Sequence, residues 1–207
     1  MTTGTDLLAL SPVMPVVVID DVDDAVPTAR ALHAGGIGVI ELTLRTPVAL
    51  AAIERVATEV PDIVVGAGTV TSSAQARQAA EAGAKFLVTP GCTDALLDAA
   101  FATGLPFLPG SSTVSEAMRL AERGLHALKF FPAEASGGAA FLKSIAGPLP
   151  QLRFCPTGGI TVSSAPSYLA LPNVGCIGGS WLTPAKLLAA KDFAAVEKLA
   201  AEAAALR

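Results

Sequence analysis

Short apolar runs alternate with alanine-rich amphipathic segments along most of the 207-residue chain. From the second run onward, successive runs begin 19 to 25 residues apart, a spacing that fits one strand, one helix and two short loops. The predicted strands are residues 13–19, 39–44, 63–70, 86–90, 105–109, 127–131, 152–155 and 174–177.

The segments between these runs have helical periodicity and carry residues that begin or end helices. Thr46 and Pro47 fit an N-cap followed by a first helical residue, and Gly35, Gly83 and Gly104 follow helical segments directly. The clearest predicted helices are residues 23–34, 47–59, 72–82, 93–103, 113–123 and 184–206, and weaker ones cover residues 137–147 and 163–171.

Eight such units with fully apolar strands predict a parallel sheet that is buried on both faces. The simplest closed arrangement is a (β/α)8 TIM barrel, expected here as a single domain over residues 1–207. An open doubly wound sheet is the alternative. Its dinucleotide-binding version is disfavoured, because no GxGxxG turn follows the first predicted strand.

Composition narrows the classes of function. Hydrophobic residues make up 52% of the chain and charged residues 15%, which predicts a large core rather than disorder. The net charge of −4, without a basic stripe, argues against nucleic acid as a partner. Cys92, Cys155 and Cys176 lack metal or disulfide spacing, so neither a disulfide framework nor a zinc site is expected, and no cofactor is predicted. Because no signal peptide or bilayer-spanning run is evident, the prediction is a cytoplasmic protein without membrane contact.

Lys129 interrupts an apolar run, residues 127–132, that is predicted to be a buried strand. A lysine in apolar surroundings costs free energy unless its charge is paired or its proton is given up. A neutral amine is a nucleophile, and it forms imines with carbonyl compounds. The run alone leaves two interpretations open. One is an imine-forming lysine, and the other is a structural lysine that is ion-paired or extends its ammonium to the barrel mouth.

The active site of a (β/α)8 barrel lies at the carboxyl ends of its strands. On the second predicted strand, Glu41, Thr43 and Arg45 alternate and therefore share one face. If that face points inward, a carboxylate and a guanidinium lie near Lys129. An internal ion pair without catalytic function is the alternative, and Arg45 could already belong to the loop.

Glycine-rich turns follow the seventh and eighth predicted strands. Gly158 and Gly159 form one pair, and Gly178 and Gly179 precede Ser180 in the other. Glycine lets backbone N–H groups approach an anion closely, and phosphate commonly binds at this place in barrel enzymes. We favour a phosphate site over turns that need glycine only for their backbone conformation.

The remaining candidates for chemistry carry weaker signals. His33 and His126 are predicted to lie away from the barrel mouth, so general acid–base catalysis falls to Glu41, a lysine or water. Cys155, Tyr168 and Trp181 are interpreted as packing residues.

Five segments carry a family resemblance: Glu-Leu-Thr-Leu-Arg-Thr at 41–46, Gly-Ala-Gly-Thr-Val at 66–70, Lys-Phe-Phe-Pro-Ala-Glu at 129–134, Cys-Pro-Thr-Gly-Gly-Ile at 155–160 and Ile-Gly-Gly-Ser-Trp at 177–181. In this order, over essentially the whole chain, they closely resemble the 2-keto-3-deoxy-6-phosphogluconate (KDPG) aldolases. The resemblance implies a metal-free, imine-forming class I aldolase, usually a homotrimer of (β/α)8 barrels. It further implies cleavage of KDPG to pyruvate and glyceraldehyde 3-phosphate in the Entner–Doudoroff pathway, and often of 4-hydroxy-2-oxoglutarate to pyruvate and glyoxylate.

The resemblance also assigns residues to roles. It implies that Lys129 forms the Schiff base and that Glu41 moves protons, through a water, as general acid and base. The ligands it implies for the pyruvate carboxylate are Arg45 and Thr69. The residues it implies for the phosphate site are Gly158, Gly159, Gly179 and Ser180, and those that wall the pocket are Pro90 and Phe131.

One position departs from some family members, which carry an arginine where this chain has Ile19. The anion contacts are therefore expected to follow the branch that bears Arg45. The expected partner is a small phosphorylated keto acid. Three alternatives remain: an aldolase for the galactonate epimer (KDPGal), a phosphosugar isomerase or synthase that forms no imine, and a phosphosugar-binding sensor.

Overall fold

The computed structural model describes residues 4–206, which fold as alternating parallel strands and helices. The strands are β1 (Val13–Val17), β2 (Val39–Thr43), β3 (Val64–Gly68), β4 (Leu87–Val88), β5 (Phe107–Leu108), β6 (Gly110–Ser111), β7 (Ala127–Phe130), β8 (Arg153–Pro156) and β9 (Ile177–Gly179). The helices are α1 (Gly4–Leu7), α2 (Ala25–Ala34), α3 (Ala49–Glu59), α4 (Ser73–Glu81), α5 (Asp94–Ala102), α6 (Val114–Glu122), α7 (Gly138–Ile145), α8 (Ala165–Leu169), α9 (Ala185–Ala189) and α10 (Phe193–Ala204). Short 3-10 helices cover Val22–Asp24 and Glu134–Ser136.

The strands form two parallel sheets that curl around a common interior. Six strands pair in the order β5-β4-β3-β2-β1-β9, and three pair in the order β6-β7-β8. Isolated parallel bridges, Phe154 with Val174 and Thr157 with Gly178, connect the β8 side of the small sheet to the β9 side of the large one. The prediction of an α/β fold with parallel strands is confirmed.

Each of the eight predicted strands overlaps an observed strand, but the fifth divides at Pro109 into β5 and β6. The backbone N–H of Gly110 donates a hydrogen bond to Thr89 Oγ1 at 3.1 Å. A Cβ at position 110 would lie 2.3 Å from the backbone carbon and oxygen of Pro90. Glycine therefore permits the close approach of two strand ends at this point.

The single helix predicted over residues 184–206 is wrong, because the chain forms α9 and α10 with a break between them. Lys191 has a φ of 52°, which is incompatible with a continuous helix. The Asp192 side chain then accepts a hydrogen bond from the Ala195 N–H at 3.1 Å and caps α10. The alanine-rich pattern continues through this break, so the periodicity alone conceals it.

Two buried clusters lie on opposite faces of the strands. The inner cluster contains Leu7, Leu8, Met14, Val39, Phe86, Val88, Leu108, Ala127, Cys155 and Cys176. The larger cluster lies between strands and helices, and it includes Ile40 and Leu42 of β2 and Leu128 and Phe130 of β7. Side chains alternate along a strand, so the position between Ile40 and Leu42 and the position between Leu128 and Phe130 face the interior. Among residues 4–206, no helix combines the length and apolar character needed to cross a bilayer.

Candidate active site

Glu41 and Lys129 face the interior from opposite sheets. Glu41 lies between Ile40 and Leu42 on β2, and Lys129 lies between Leu128 and Phe130 on β7. Lys129 Nζ donates a hydrogen bond to Glu41 Oε1 at 3.2 Å. The exposed fraction is 1% for Glu41 and 4% for Lys129. The predicted proximity of the two residues is confirmed, and each charge offsets part of the other's cost of burial.

The space around this pair is set by small and aromatic neighbours. A Cβ on Gly68 would lie 2.1 Å from Glu41 Oε1, so glycine at the end of β3 leaves room for the carboxylate. The Lys129 ammonium lies 5.5 Å from the centroid of the Phe131 ring, within the range of a cation–π contact. Gly68 and Phe131 thus restrict the positions of the Glu41 and Lys129 side chains.

Arg45 and Thr69 meet at the rim, beyond the ends of β2 and β3. Arg45 Nε donates to Thr69 Oγ1 at 3.1 Å. The Leu44 N–H donates to the Gly68 carbonyl at 2.8 Å, which keeps the two chain segments adjacent past the last residues of the strands. Thr69 has a φ of 56°, an uncommon left-handed conformation for a β-branched residue. Arg45 lies exposed in the turn after β2, so it does not share the inner strand face with Glu41, and the alternative interpretation that it belongs to the loop is confirmed.

The two glycine turns are adjacent but differ in what they require of glycine. Gly158 and Gly159 have φ values of 105° and 81°, which disfavour any side chain. Gly178 and Gly179 serve close packing instead: a Cβ would lie 2.1 Å from Thr157 Oγ1 at the first and 2.5 Å from the Trp181 ring at the second. Ser180 follows and is exposed. The turns lie side by side, because Thr157 pairs with Gly178.

The predicted wall residues lie at the same end of the strands. Phe131 is half-buried, and its ring would contact a Cβ on Gly158 at 3.3 Å. Pro90 is half-buried at the end of β4, where its backbone contacts Gly110. Phe131 therefore links Lys129 to the first glycine turn.

A cavity of about 670 Å³ opens at the carboxyl ends of β1 and β9. Its lining includes Val16, Asp20 and Lys191, together with Ser180 and Thr183. Val16 is the register partner of Glu41, so the cavity reaches within one strand of the buried pair. It borders the second glycine turn at Ser180, but neither Glu41 nor Lys129 lines it, so the cavity lies beside the buried pair rather than around it.

A polar contact of Tyr168 was not predicted from the sequence. This residue is 1% exposed, as expected of a packing residue, but its hydroxyl donates to Glu134 Oε1 at 2.6 Å. Burial, followed by this hydrogen bond, raises the pKa of Tyr168 well above its ordinary value, so the phenol remains a donor. The signal in the sequence is Glu134 itself, which ends the Lys-Phe-Phe-Pro-Ala-Glu segment.

The carboxyl-terminal side of the strands carries an amine paired with a carboxylate, a guanidinium at the rim and two adjacent glycine turns. A lysine amine can form an imine with a ketone, and a neighbouring carboxylate can move the protons. Within residues 4–206, no three His, Cys, Asp or Glu side chains are grouped so that they could hold a metal ion.

The chain is similar to known proteins over nearly its whole length. Residues 5–199 match the family described as KDPG and KHG aldolase. The KHG/KDPG aldolase of Escherichia coli (strain K12) is 52% identical over 202 residues, which cover 98% of this chain and 95% of the relative.

Solved structures agree with the sequence relatives. KDPG aldolase from Legionella pneumophila, with pyruvate captured at low pH as a covalent carbinolamine intermediate, is 44% identical with a TM-score of 0.96, and 99% of each chain is covered. The 2-keto-3-deoxy-6-phosphogluconate aldolase of Zymomonas mobilis ZM4, with 3-phosphoglycerate, is 49% identical with a TM-score of 0.94. The comparison covers 100% of this chain and 97% of the Zymomonas chain.

Proposed function

This chain belongs to the KDPG and KHG aldolase family, and we propose that Lys129 and Glu41 carry out its chemistry. It is a carbon–carbon lyase that cleaves KDPG to pyruvate and glyceraldehyde 3-phosphate, a step of the Entner–Doudoroff pathway. It also cleaves 4-hydroxy-2-oxoglutarate to pyruvate and glyoxylate. The observation that supports the residue assignment is the buried 3.2 Å contact between Lys129 Nζ and Glu41 Oε1.

The reaction begins when the Lys129 amine attacks the C2 carbonyl of the keto acid. Glu41 accepts the ammonium proton beforehand and returns a proton as the carbinolamine loses water, which leaves a protonated imine. The C4 hydroxyl then loses its proton to Glu41 through a water. The C3–C4 bond breaks, and its electron pair moves into the imine to give an enamine, while the C4 fragment leaves as the aldehyde. Protonation of the enamine at C3 and hydrolysis of the imine release pyruvate and regenerate the amine.

The two ends of the substrate are held by different parts of the rim. Arg45 and Thr69 bind the carboxylate next to the reacting carbonyl, where a guanidinium and a hydroxyl offer directed donors. The phosphate binds at Gly158, Gly159, Gly179 and Ser180. Pro90 and Phe131 wall the space between. Holding both ends places C2 over the amine and C4 near the carboxylate, and such orientation contributes much of the rate.

Trapping of the imine tests the assignment. Borohydride reduces an imine to a stable secondary amine, so incubation with pyruvate and borohydride should add one pyruvate-derived group to Lys129. Peptide mass spectrometry then locates the modified residue, and borohydride without pyruvate is the control. Modification of another lysine, such as the exposed Lys191, or none at all, would contradict the mechanism.

Simple assays distinguish the three alternatives from KDPG cleavage. A non-imine isomerase or synthase, or a phosphosugar sensor, would release no pyruvate in a lactate dehydrogenase-coupled assay. A preference for the galactonate epimer would appear as a higher kcat/KM on KDPGal than on KDPG.

The proposal extends to architecture, assembly and location. The two curled sheets close into one (β/α)8 barrel, supported by the Thr157–Gly178 bridge and by the continuation of β5 into β6 after Pro109. Three chains of 20.8 kDa form a homotrimer, for which light scattering would give the mass of three chains. The three free cysteines fit a reducing, cytoplasmic location.

A further inference from the structure

Glu134 is the first residue of the 3-10 helix that follows β7, and it packs against the first glycine turn. Its N–H donates to the Gly158 carbonyl at 3.1 Å, and the Ala133 N–H donates to the Thr157 carbonyl at 2.8 Å. A Cβ on Gly159 would lie 2.8 Å from Glu134 Cγ. The turn therefore rests directly on the aliphatic stem of Glu134.

The carboxylate of Glu134 is held in place by a residue of α8. Tyr168, buried on α8, donates its hydroxyl to Glu134 Oε1 at 2.6 Å, a short hydrogen bond to a charged acceptor. Gly138, at the start of α7, has a φ of 60°, and a Cβ there would lie 3.2 Å from the Tyr168 hydroxyl. A glycine thus makes room for the contact.

We propose that Tyr168 and Glu134, together called the Glu134–Tyr168 strut, position the Gly158-Gly159 turn for the substrate phosphate. The inference rests on the proposed function, which assigns that turn to phosphate. Neither residue of the strut is a catalytic residue, since both act through the backbone of the turn.

The strut also controls where a negative charge lies. Glu134 is exposed and ends at the rim, so a freely moving carboxylate would approach a bound phosphate and repel it. The Tyr168 hydroxyl binds one carboxylate oxygen and draws it toward the buried layer between strands and helices. The side chain can then support Gly159 while its charge faces a donor.

Tyr168→Phe tests the strut, because it removes one hydroxyl and keeps the ring. Loss of a hydrogen bond to a charged group, partly transmitted through the turn, should raise KM for KDPG by about 5- to 20-fold. The KM for 4-hydroxy-2-oxoglutarate, which is shorter and carries no phosphate, should stay within about twofold, as should kcat on both substrates.

Variants of Glu134 provide an independent test of the proposal in case Tyr168→Phe fails to fold. Glu134→Ala should show the same rise in KM for KDPG alone, and the double variant should be no worse, because the two residues act as one unit. Glu134→Gln retains an acceptor for Tyr168 and should restore a KM close to that of the unaltered chain. Glu81→Ala, which removes an exposed carboxylate at the end of α4, is the matched charge control.

Equal rises in KM for both substrates, a fall of kcat on both, or an unchanged KM for KDPG would overturn the inference. Failure of the unaltered chain to cleave either substrate would instead contradict the function on which the inference rests. The two failures are therefore distinguishable.

Discussion

Glu41 and Lys129 lie 88 positions apart in the sequence, yet their side chains form a 3.2 Å ion pair inside the fold. Neither strand could bury its charged residue cheaply alone, because β7 is otherwise apolar and β2 adds only Thr43 as a further polar residue. The pairing makes both burials tolerable, and it places a carboxylate next to the amine that is proposed to form the imine.

Lys129→Met should abolish imine trapping and destabilise the protein. It leaves the Glu41 carboxylate buried without its partner, a change that costs about 3 to 5 kcal/mol in comparable cases. Adding Glu41→Gln should recover part of that loss, because the stranded charge is gone. Urea unfolding of the two single variants and the double variant at pH 7 measures this; additive losses would argue against the coupling.

Gly68→Ala should impair the chemistry without weakening substrate capture. The added Cβ would lie 2.1 Å from Glu41 Oε1, so the carboxylate must move away from Lys129. A displacement of about 1 Å can cost about 100-fold in rate, and kcat on both substrates should fall by that order. Gly91→Ala is the control at the same end of the strands, since a Cβ there meets nothing within 4 Å. Equal kcat values for the two variants would contradict the prediction.

Arg45→Lys should raise KM on KDPG and on 4-hydroxy-2-oxoglutarate alike, because both substrates carry the carboxylate that Arg45 is proposed to bind. Lysine keeps the charge but loses the planar fork and the Nε donor to Thr69, so a rise of about tenfold is expected. Steady-state kinetics on both substrates decide the matter. A rise confined to KDPG would move Arg45 to the phosphate end.

Ser180→Asp should discriminate between the substrates in the opposite way. A carboxylate at the second glycine turn would repel the phosphate, and KM for KDPG should rise by about tenfold or more. The effect should weaken as salt screens the added charge, whereas the KM for 4-hydroxy-2-oxoglutarate should change little. Ser180→Ala, which adds no charge, separates repulsion from the loss of the hydroxyl. An equal response of the two substrates would remove Ser180 from the phosphate site.

Glu116 should stabilise the fold in a pH-dependent manner. Its pKa is lowered by the Ser112 N–H, which donates at 2.8 Å, with further hydrogen bonds from Thr113 and the Ser112 hydroxyl that together outweigh partial burial. A carboxyl group with a lowered pKa in the folded state adds stability above its unfolded pKa of about 4.3. That contribution is lost as the pH falls through the folded pKa.

Comparison with Glu116→Gln measures this contribution. The unfolded chain binds the proton more readily than the folded chain does. The free energy of unfolding should therefore be higher for the unaltered chain than for Glu116→Gln from pH 7 down to about pH 5. The difference should shrink below about pH 4.3. A difference that does not depend on pH would assign the effect of Glu116 to packing.

The sequence predicted the parts of the site that depend on strand position. The apolar runs placed Lys129 and Glu41 on strands, and side-chain alternation allowed both to face one interior. The position of the Arg45 guanidinium was harder to predict, because β2 already ends at Thr43. The geometry of the loop, including the unusual φ of Thr69, decides where the guanidinium lies. No periodicity encodes a loop conformation of that kind.

The pattern of hydrophobic and polar positions also does not predict contacts between polar groups that are distant in the sequence. Tyr168 carries the signature of a core residue, and only the fold shows that its hydroxyl meets Glu134. Likewise, Gly178 and Gly159 look equivalent in the sequence. One makes room for Thr157, whereas the other adopts a left-handed conformation. Such distinctions arise from packing, which a single sequence does not specify residue by residue.

The division of the strands into two sheets has a consequence for how activity is acquired. Glu41 belongs to the six-stranded sheet and Lys129 to the three-stranded sheet, so the proposed catalytic pair exists only when the two sheets have met. A ribosome-bound chain that has emerged only as far as α6 carries the Glu41 carboxylate without the Lys129 amine. Pyruvate release would therefore report assembly of the complete fold, and two complementing fragments divided after α6 would make that assembly a measurable binding event.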